Sequence, residues 1–168
     1  MTIANAALRP YLASDADSVV EIFRASVEEL TGDDYSEAQR EAWASAADDE
    51  AAFVKRVAQH LTLLATVDGE PVAFASLRDN EHVEFLYVHP THVGQGLATA
   101  LYDALEKLAR NRGAKKLAVD ASDTAHDFFE RRGFVMKQRN SVHRQGEWLA
   151  NTTMEKQLSD DGPKPRPQ

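Results

Sequence analysis

Cysteine is absent from the chain. That excludes a disulfide framework, a thiolate zinc site and a cysteine nucleophile. Long apolar runs are missing too, and none approaches the ~20 residues that span a bilayer. Residues 1–17 show no basic start and no apolar segment, so no secretory signal is expected. Proline is scarce, at 6 residues, and three of them fall in the last six positions. No apolar residue follows Leu158. The packed domain is therefore expected to span 1–158, and 159–168 to form a disordered tail. Positive charge is in deficit: 19 Lys+Arg face 27 Asp+Glu, for a net −8. Phosphate-backbone binding needs a basic face, so no nucleic-acid partner is expected. Lys107, Arg110, Arg112, Lys115 and Lys116 do cluster, but they read as solvated surface. What remains is a chain of 168 residues, the length of one domain, which buries roughly 70% of its unfolded surface. A cytoplasmic protein without a membrane partner is expected.

The first third reads as helical. Residues 8–12 suit a short edge strand. Ser14 and Asp15 then offer N-caps for a helix whose apolar stripe runs through Ala16, Val19, Val20, Phe23, Val27 and Leu30. Ser36 and Gln39 form a capping-box pair before an alanine-rich helix around Trp43. A further short helix runs through Phe53 and Val57. The period then changes. Apolar runs at 61–67, 71–77 and 82–88 are separated by Asp68-Gly69 and by Arg78-Asp79-Asn80, which are turn sequences. A helix at 96–111, a strand at 116–121, a short helix at 124–132 and strands at 134–144 and 147–154 complete the chain. Antiparallel strands joined to a strand–helix–strand crossover predict an α/β domain with a mixed sheet.

The stretch between the third run and its helix carries the strongest chemical signal. Gly94 and Gly96 can take positive φ and leave no Cβ in the way. Such a loop aims successive N–H groups at one point, and the helix start adds its own unpaired donors. That is a site for a phosphate or pyrophosphate, and it needs no lysine. The residues match neither GxxxxGK[ST] nor GxGxxG, which disfavours a nucleotide triphosphatase and a dinucleotide site.

Residues 93–98, Val-Gly-Gln-Gly-Leu-Ala, resemble the Q/R-x-x-G-x-G/A motif of the GCN5-related N-acetyltransferase (GNAT) superfamily. Gly96 and Ala98 match its last two key positions, while Val93 replaces the usual Gln or Arg. Ala125 to Phe134 resembles the family's A-x-x-F-Y/F-E-x-x-G-F signature, in the form of a bacterial subgroup with an FFER-x-GF helix. The resemblance extends over roughly 8–158. It implies a single GNAT-like domain whose mixed central sheet splays between the fourth and fifth strands and is flanked by helices. It implies acetyl-CoA as co-substrate, bound in the V between strands 82–88 and 116–121. The pantetheine arm would pair with Leu86, Tyr87 and Val88. The pyrophosphate would sit on Val93, Gly94, Gln95, Gly96, Leu97, Ala98 and Thr99. Phe128 would flank the thiol end, and Ser122 takes the place of a common Asn. The activity implied is acetyl transfer to a primary amine, of a small molecule or of a protein, by a monomer or homodimer. The alternative is a non-catalytic acyl-CoA sensor or interaction module on the same fold.

Family members often place a carboxylate on the first of these strands, facing the acceptor. Strand alternation groups His82, Glu84, Leu86 and Val88 on one face and Val83, Phe85 and Tyr87 on the other. Glu84 is the first candidate base and His82 the second, since an imidazole titrates near neutrality. Tyr87 falls on the other face. Phe129 stands where the family commonly has tyrosine, and it cannot donate a proton. His89 and His92 have no evident third partner, so no metal site is expected. Tyr35 and Trp43 read first as core and second as acceptor-pocket lining. Arg131 and Arg132 read first as a solvated basic patch and second as a contact for the 3′-phosphate of coenzyme A. Residues 1–70 hold 14 acidic and 5 basic residues, which points to a cationic acceptor.

Overall fold

Two-residue turns organise the first half of the sheet. Asp68 and Gly69 both take positive φ, 53° and 84°. That geometry matches the right-handed twist of the strands it joins, β2 (Leu61–Val67) and β3 (Glu70–Arg78). Asp79 and Asn80, also at positive φ, lead β3 into β4 (His82–Val88). The computed structural model describes residues 5–158. The tail expected at 159–168 lies outside the described residues.

Before β2 come β1 (Ala6–Pro10), α1 (Ala16–Leu30), α2 (Glu37–Ala44) and α3 (Glu50–Gln59). The capping box forms as expected: Ser36 Oγ accepts the Gln39 N–H at 3.1 Å, and Gln39 Oε1 accepts the Ser36 N–H at 2.9 Å. Asp15 does something other than cap α1. Its carboxylate accepts two hydrogen bonds from the Arg9 guanidinium and one from the Leu12 N–H, each at 2.8 Å. The Arg9 hydrogen bonds hold the Asp15 carboxyl below the usual range despite burial. A single turn at Ala13–Asp15 therefore precedes α1, and the ion pair pins β1 to it.

After β4 come α4 (Leu97–Asn111), β5 (Lys116–Ser122), α5 (His126–Glu130), β6 (Val135–Arg144) and β7 (Glu147–Gln157). The helix expected at 124–132 is thus only five residues long. The Ala125 N–H is taken by Ser122, through both its carbonyl and its Oγ, and the segment ends at Gly133.

The seven strands lie in the order β1-β2-β3-β4-β5-β7-β6. Every neighbouring pair is antiparallel except β4 and β5. Both faces are covered. On one, Val19 and Phe23 of α1 and Phe53 of α3 pack on Phe74 and Phe85. On the other, Leu97, Leu101 and Leu105 of α4 pack with Leu117, Phe129 and Met154. A sheet buried on both faces explains the near-continuous apolar runs in β2 and β3. No helix among the described residues is long and apolar enough to cross a membrane.

Candidate active site

One residue opens the sheet. In the β3–β4 ladder Leu77 opposes Val83 and Ser76 opposes Phe85, so Glu84 has no partner. Glu84 is the extra residue of a β-bulge, which bends its strand and interrupts pairing. The strict alternation expected along 82–88 therefore fails at Glu84. Val83, Leu86 and Val88 all pack toward α4. Phe85 and Tyr87 pack toward α1 and α3, and Glu84 turns to that side, to Arg56 of α3. The parallel pairing of β4 with β5 covers only His82↔Ala118 and Val83↔Val119. Beyond the bulge the two strands part. From residue 84 onward the edge of β4 that faces β5 has no partner strand.

The parted strand runs into the glycine loop. Gly94 and Gly96 lie at φ 76° and 82°, where a side chain is strained. A Cβ on either would meet nothing within 4 Å, so the loop surface stands clear. Gly96 is the N-cap of α4. Val93 is 45% exposed and contributes no polar group. Leu97 is buried in the core, so only its backbone faces the loop, while Ala98 and Thr99 are half-buried on the first turn. Arg132 is not the solvated residue its sequence context suggests. Its guanidinium lies 3.6 Å over the Phe128 ring and donates to Thr99 Oγ1 at 2.6 Å and to the Phe128 carbonyl at 3.0 Å. Among the described residues no carboxylate lies within 4.0 Å of it.

Between the parted strands sits a cavity of about 230 Å³, walled by Glu84, Leu86, Tyr87, Ser122 and Phe129 among others. Tyr35 and Trp43 face each other at 5.2 Å on its rim. The Tyr35 hydroxyl donates to the Ala150 carbonyl and accepts the Asp123 N–H. Gln39 Nε2 donates to the Trp148 carbonyl at 2.8 Å. These bonds clasp the β6–β7 hairpin against α2 and bring Arg144 and Asn151 to the cavity wall. Asp120 of β5 also lines it. Arg144, Asn151 and Asp120 were not singled out from sequence, because a long-range fold-over places them there.

Glu84 accepts from Arg56 and Arg78, each at 2.9 Å. Burial opposes its charge, but the two arginines outweigh burial and hold its carboxyl below the usual range. His82 lies outside the cavity wall, at the point where β4 and β5 still pair. Its Nε2 is 3.9 Å from Glu84. Burial first, and then the charge of Arg78, depress its pKa and favour the neutral imidazole. Tyr87 does line the cavity, contrary to the strand alternation. Desolvation pushes its hydroxyl up to about 12, so it stays protonated at neutral pH. Of the 14 acidic residues in 1–70, those among the described residues are exposed, apart from Asp15, and none lines the cavity.

A model of the acetyltransferase (GNAT) domain family matches residues 31–158. Over 150 residues the chain is 33% identical to the uncharacterized N-acetyltransferase YafP of Escherichia coli (strain K12), covering 89% of this chain and 95% of that protein. The crystal structure of a GCN5-related N-acetyltransferase from Rhodopseudomonas palustris, also named as an aminotransferase, class-II, matches with a TM-score of 0.90 at 60% identity. It covers 94% of this chain and 99% of its own. The PaiA N-acetyltransferase of Thermoplasma acidophilum, crystallised in complex with coenzyme A, shares the fold with a TM-score of 0.74 at 19% identity, over 91% and 99% of the two chains.

Proposed function

Since the chain belongs to the GNAT acetyltransferase family, we propose that it transfers an acetyl group from acetyl-CoA to a small primary amine in the cytoplasm. The observation that carries this reading is the pairing of β4 with β5, which stops at Val83 and leaves a free strand edge leading into an uncovered glycine loop. A pantetheine arm carries amides and can pair with the free backbone of Leu86, Tyr87 and Val88 as an added strand would. The pyrophosphate then falls on the backbone of 93–99 at the start of α4. Arg132 supplies the basic side chain that Val93 does not. Phe128, under that guanidinium, and Ser122, whose O–H remains free to donate, flank the arm.

The reaction joins the amine nitrogen to the thioester carbonyl carbon and breaks the carbon–sulfur bond. Two protons leave the ammonium overall, and one returns to the thiolate. Backbone N–H groups on the free edge of β4 stabilise the developing oxyanion. Glu84, kept ionised by its arginines, is a weak proton store but a strong hydrogen-bond acceptor. It orients the attacking amine or a water beside it. The neutral imidazole of His82, behind Glu84, has the better-matched basicity to take the proton. Phe129 walls the thiol end without donating, so the leaving thiolate draws its proton from solvent or from the amine.

Titration calorimetry with acetyl-CoA, followed by a thiol-release assay with an amine panel, tests the proposal. Binding at sub-millimolar concentration with thiol release is expected. No binding would overturn it, and binding without release from any amine would favour a sensor.

A further inference from the structure

The cavity wall carries three ionisable side chains of formal charge at neutral pH: Glu84, Asp120 and Arg144. Two are already engaged. Both Glu84 oxygens face guanidinium groups, and Asp120 Oδ1 accepts from the Thr153 hydroxyl at 2.6 Å. Arg144, exposed at the end of β6, is the exception: Glu147 opposes it across the hairpin, but among the described residues no carboxylate lies within 4.0 Å of it. With Arg56, Arg78 and the Asp79 that also pairs with Arg78 counted beside Glu84, the charges around the cavity balance, three of each sign, and Arg144 is the cation on the wall itself. Apart from Asp15, the acidity of residues 1–70 lies on exposed helix faces, loops and turns away from the cavity wall, where solvent and salt screen it beyond ~8–10 Å. Arg144 stands on the cavity wall itself.

From this we infer that the acceptor is a small amine that also bears an anionic group, and that Arg144 binds that group. The inference rests on the acetyl-transfer reading and names the substrate class for it. A guanidinium offers a planar fork of donors that fits carboxylate or phosphate with two parallel hydrogen bonds. The amino end of such a molecule points toward Glu84 and Asp120, and its body lies along Trp43 and Tyr35. At about 230 Å³ the cavity is below the ~300–1,000 Å³ of drug-sized sites, which suits an amino acid or an aminoalkyl phosphate. It argues against a long polyamine, which the overall negative charge had suggested.

The test is a set of matched acceptor pairs in the thiol-release assay with acetyl-CoA: glycine and glycinamide, phenylalanine and phenylalaninamide, phosphoethanolamine and ethanolamine, with spermidine as the polycation. The acid-bearing member of at least one pair is expected to have the higher kcat/KM, by about tenfold to a hundredfold, the value of a charge-assisted contact. Whether the carboxylate or the phosphate pair shows it identifies the anion. Arg144→Gln is expected to bring that ratio close to one, mainly through KM for the acid-bearing amine, and Arg144→Lys to keep part of it. A preference for the amides, for ethanolamine or for spermidine would overturn the inference, as would an unchanged ratio in Arg144→Gln. Thiol release without any acid preference overturns only this inference. No release from any member overturns the acetyl-transfer reading with it.

Discussion

Arg132 holds an unpaired charge beside the start of α4, where the helix already carries a partial positive charge. Two like charges are costly together unless an anion joins them. That is the reason to expect Arg132 to touch the pyrophosphate. Arg132→Gln should raise KM for acetyl-CoA about tenfold, the scale of one charge-assisted hydrogen bond. It should leave KM for S-acetylpantetheine, which lacks the pyrophosphate, nearly unchanged. Equal losses with both donors would mean that Arg132 only packs α5 onto α4. The sequence presented Arg131-Arg132 as a basic pair without distinguishing its members. The residues that distinguish them, Thr99 and Phe128, sit 33 and 4 positions away. Glu84 is a similar case. It was legible as a strand carboxylate, but its partners Arg56 and Arg78 come from another helix and another strand. The depressed carboxyl they cause could not be read along the chain.

At the scale of elements, the best-read segments have local punctuation. β2 and β4 run between turn sequences, Asp68-Gly69 on one side and His89-Pro90 on the other, and their bounds match the expected 61–67 and 82–88. α5 was overestimated at both ends, because Ser122 takes the Ala125 N–H before the helix and the Arg132 and Gly133 N–H groups close tight turns onto Phe129 and Glu130 after it. The β6–β7 hairpin was legible as two strands around Gln145-Gly146. Its reach over α2 was not, because long-range hydrogen bonds from Tyr35 to Ala150 and from Gln39 to Trp148 set it. Tyr35 is buried, and its hydroxyl is the rivet between the α1–α2 loop, the β5–α5 turn and β7. Tyr35→Phe removes an O–H donor to Ala150 and leaves the Asp123 N–H without its acceptor. A loss of about 1–3 kcal/mol is expected in denaturant titration. The KM for the amine should rise more than the KM for acetyl-CoA, since the hairpin walls the cavity proposed for the acceptor. A variant with wild-type stability and unchanged KM values would show that the rivet is dispensable.

For the whole molecule, charge and pH meet in the tertiary ion pairs. Asp15 and Asp123 are held below their ordinary pKa chiefly by hydrogen bonds from Arg9 and Arg139. Glu84 and Glu106 are lowered by their cations against the opposing effect of burial. Each contributes stability that is present above the ordinary carboxylate range and is lost as pH falls through its depressed folded value. His82 is also depressed in the fold, from 6.5. Its unfolded form therefore gains protons first, and stability begins to fall below that pH. Two stages of acid destabilisation are expected in denaturation midpoints measured from pH 8 to 3, one starting near 6.5 and one below ~4. His82→Gln should remove the upper stage. A midpoint constant down to pH 5 in the wild type would contradict the first stage. The global charge of −8 was legible at once, but its placement was not. It fixes neither the cavity, whose wall sets one guanidinium beside two carboxylates, nor the acid response, which belongs to His82 and a handful of paired carboxylates.

The bulge at Glu84 has a consequence for how such a domain is made and unmade. Removing that one residue would leave Val83 followed by Phe85, with alternation restored and every other β3 partner kept. The repaired strand could continue pairing with β5, and the gap would heal. A chain deleted at position 84 is expected to fold, to keep its far-ultraviolet circular dichroism spectrum, and to lose acetyl-CoA binding in calorimetry. Retained binding would show that the gap does not depend on the bulge. By this account the cleft is an insertion one residue long, and the seven-stranded sheet without it is an inert β-sheet scaffold. The distance between scaffold and enzyme is then a single codon in length.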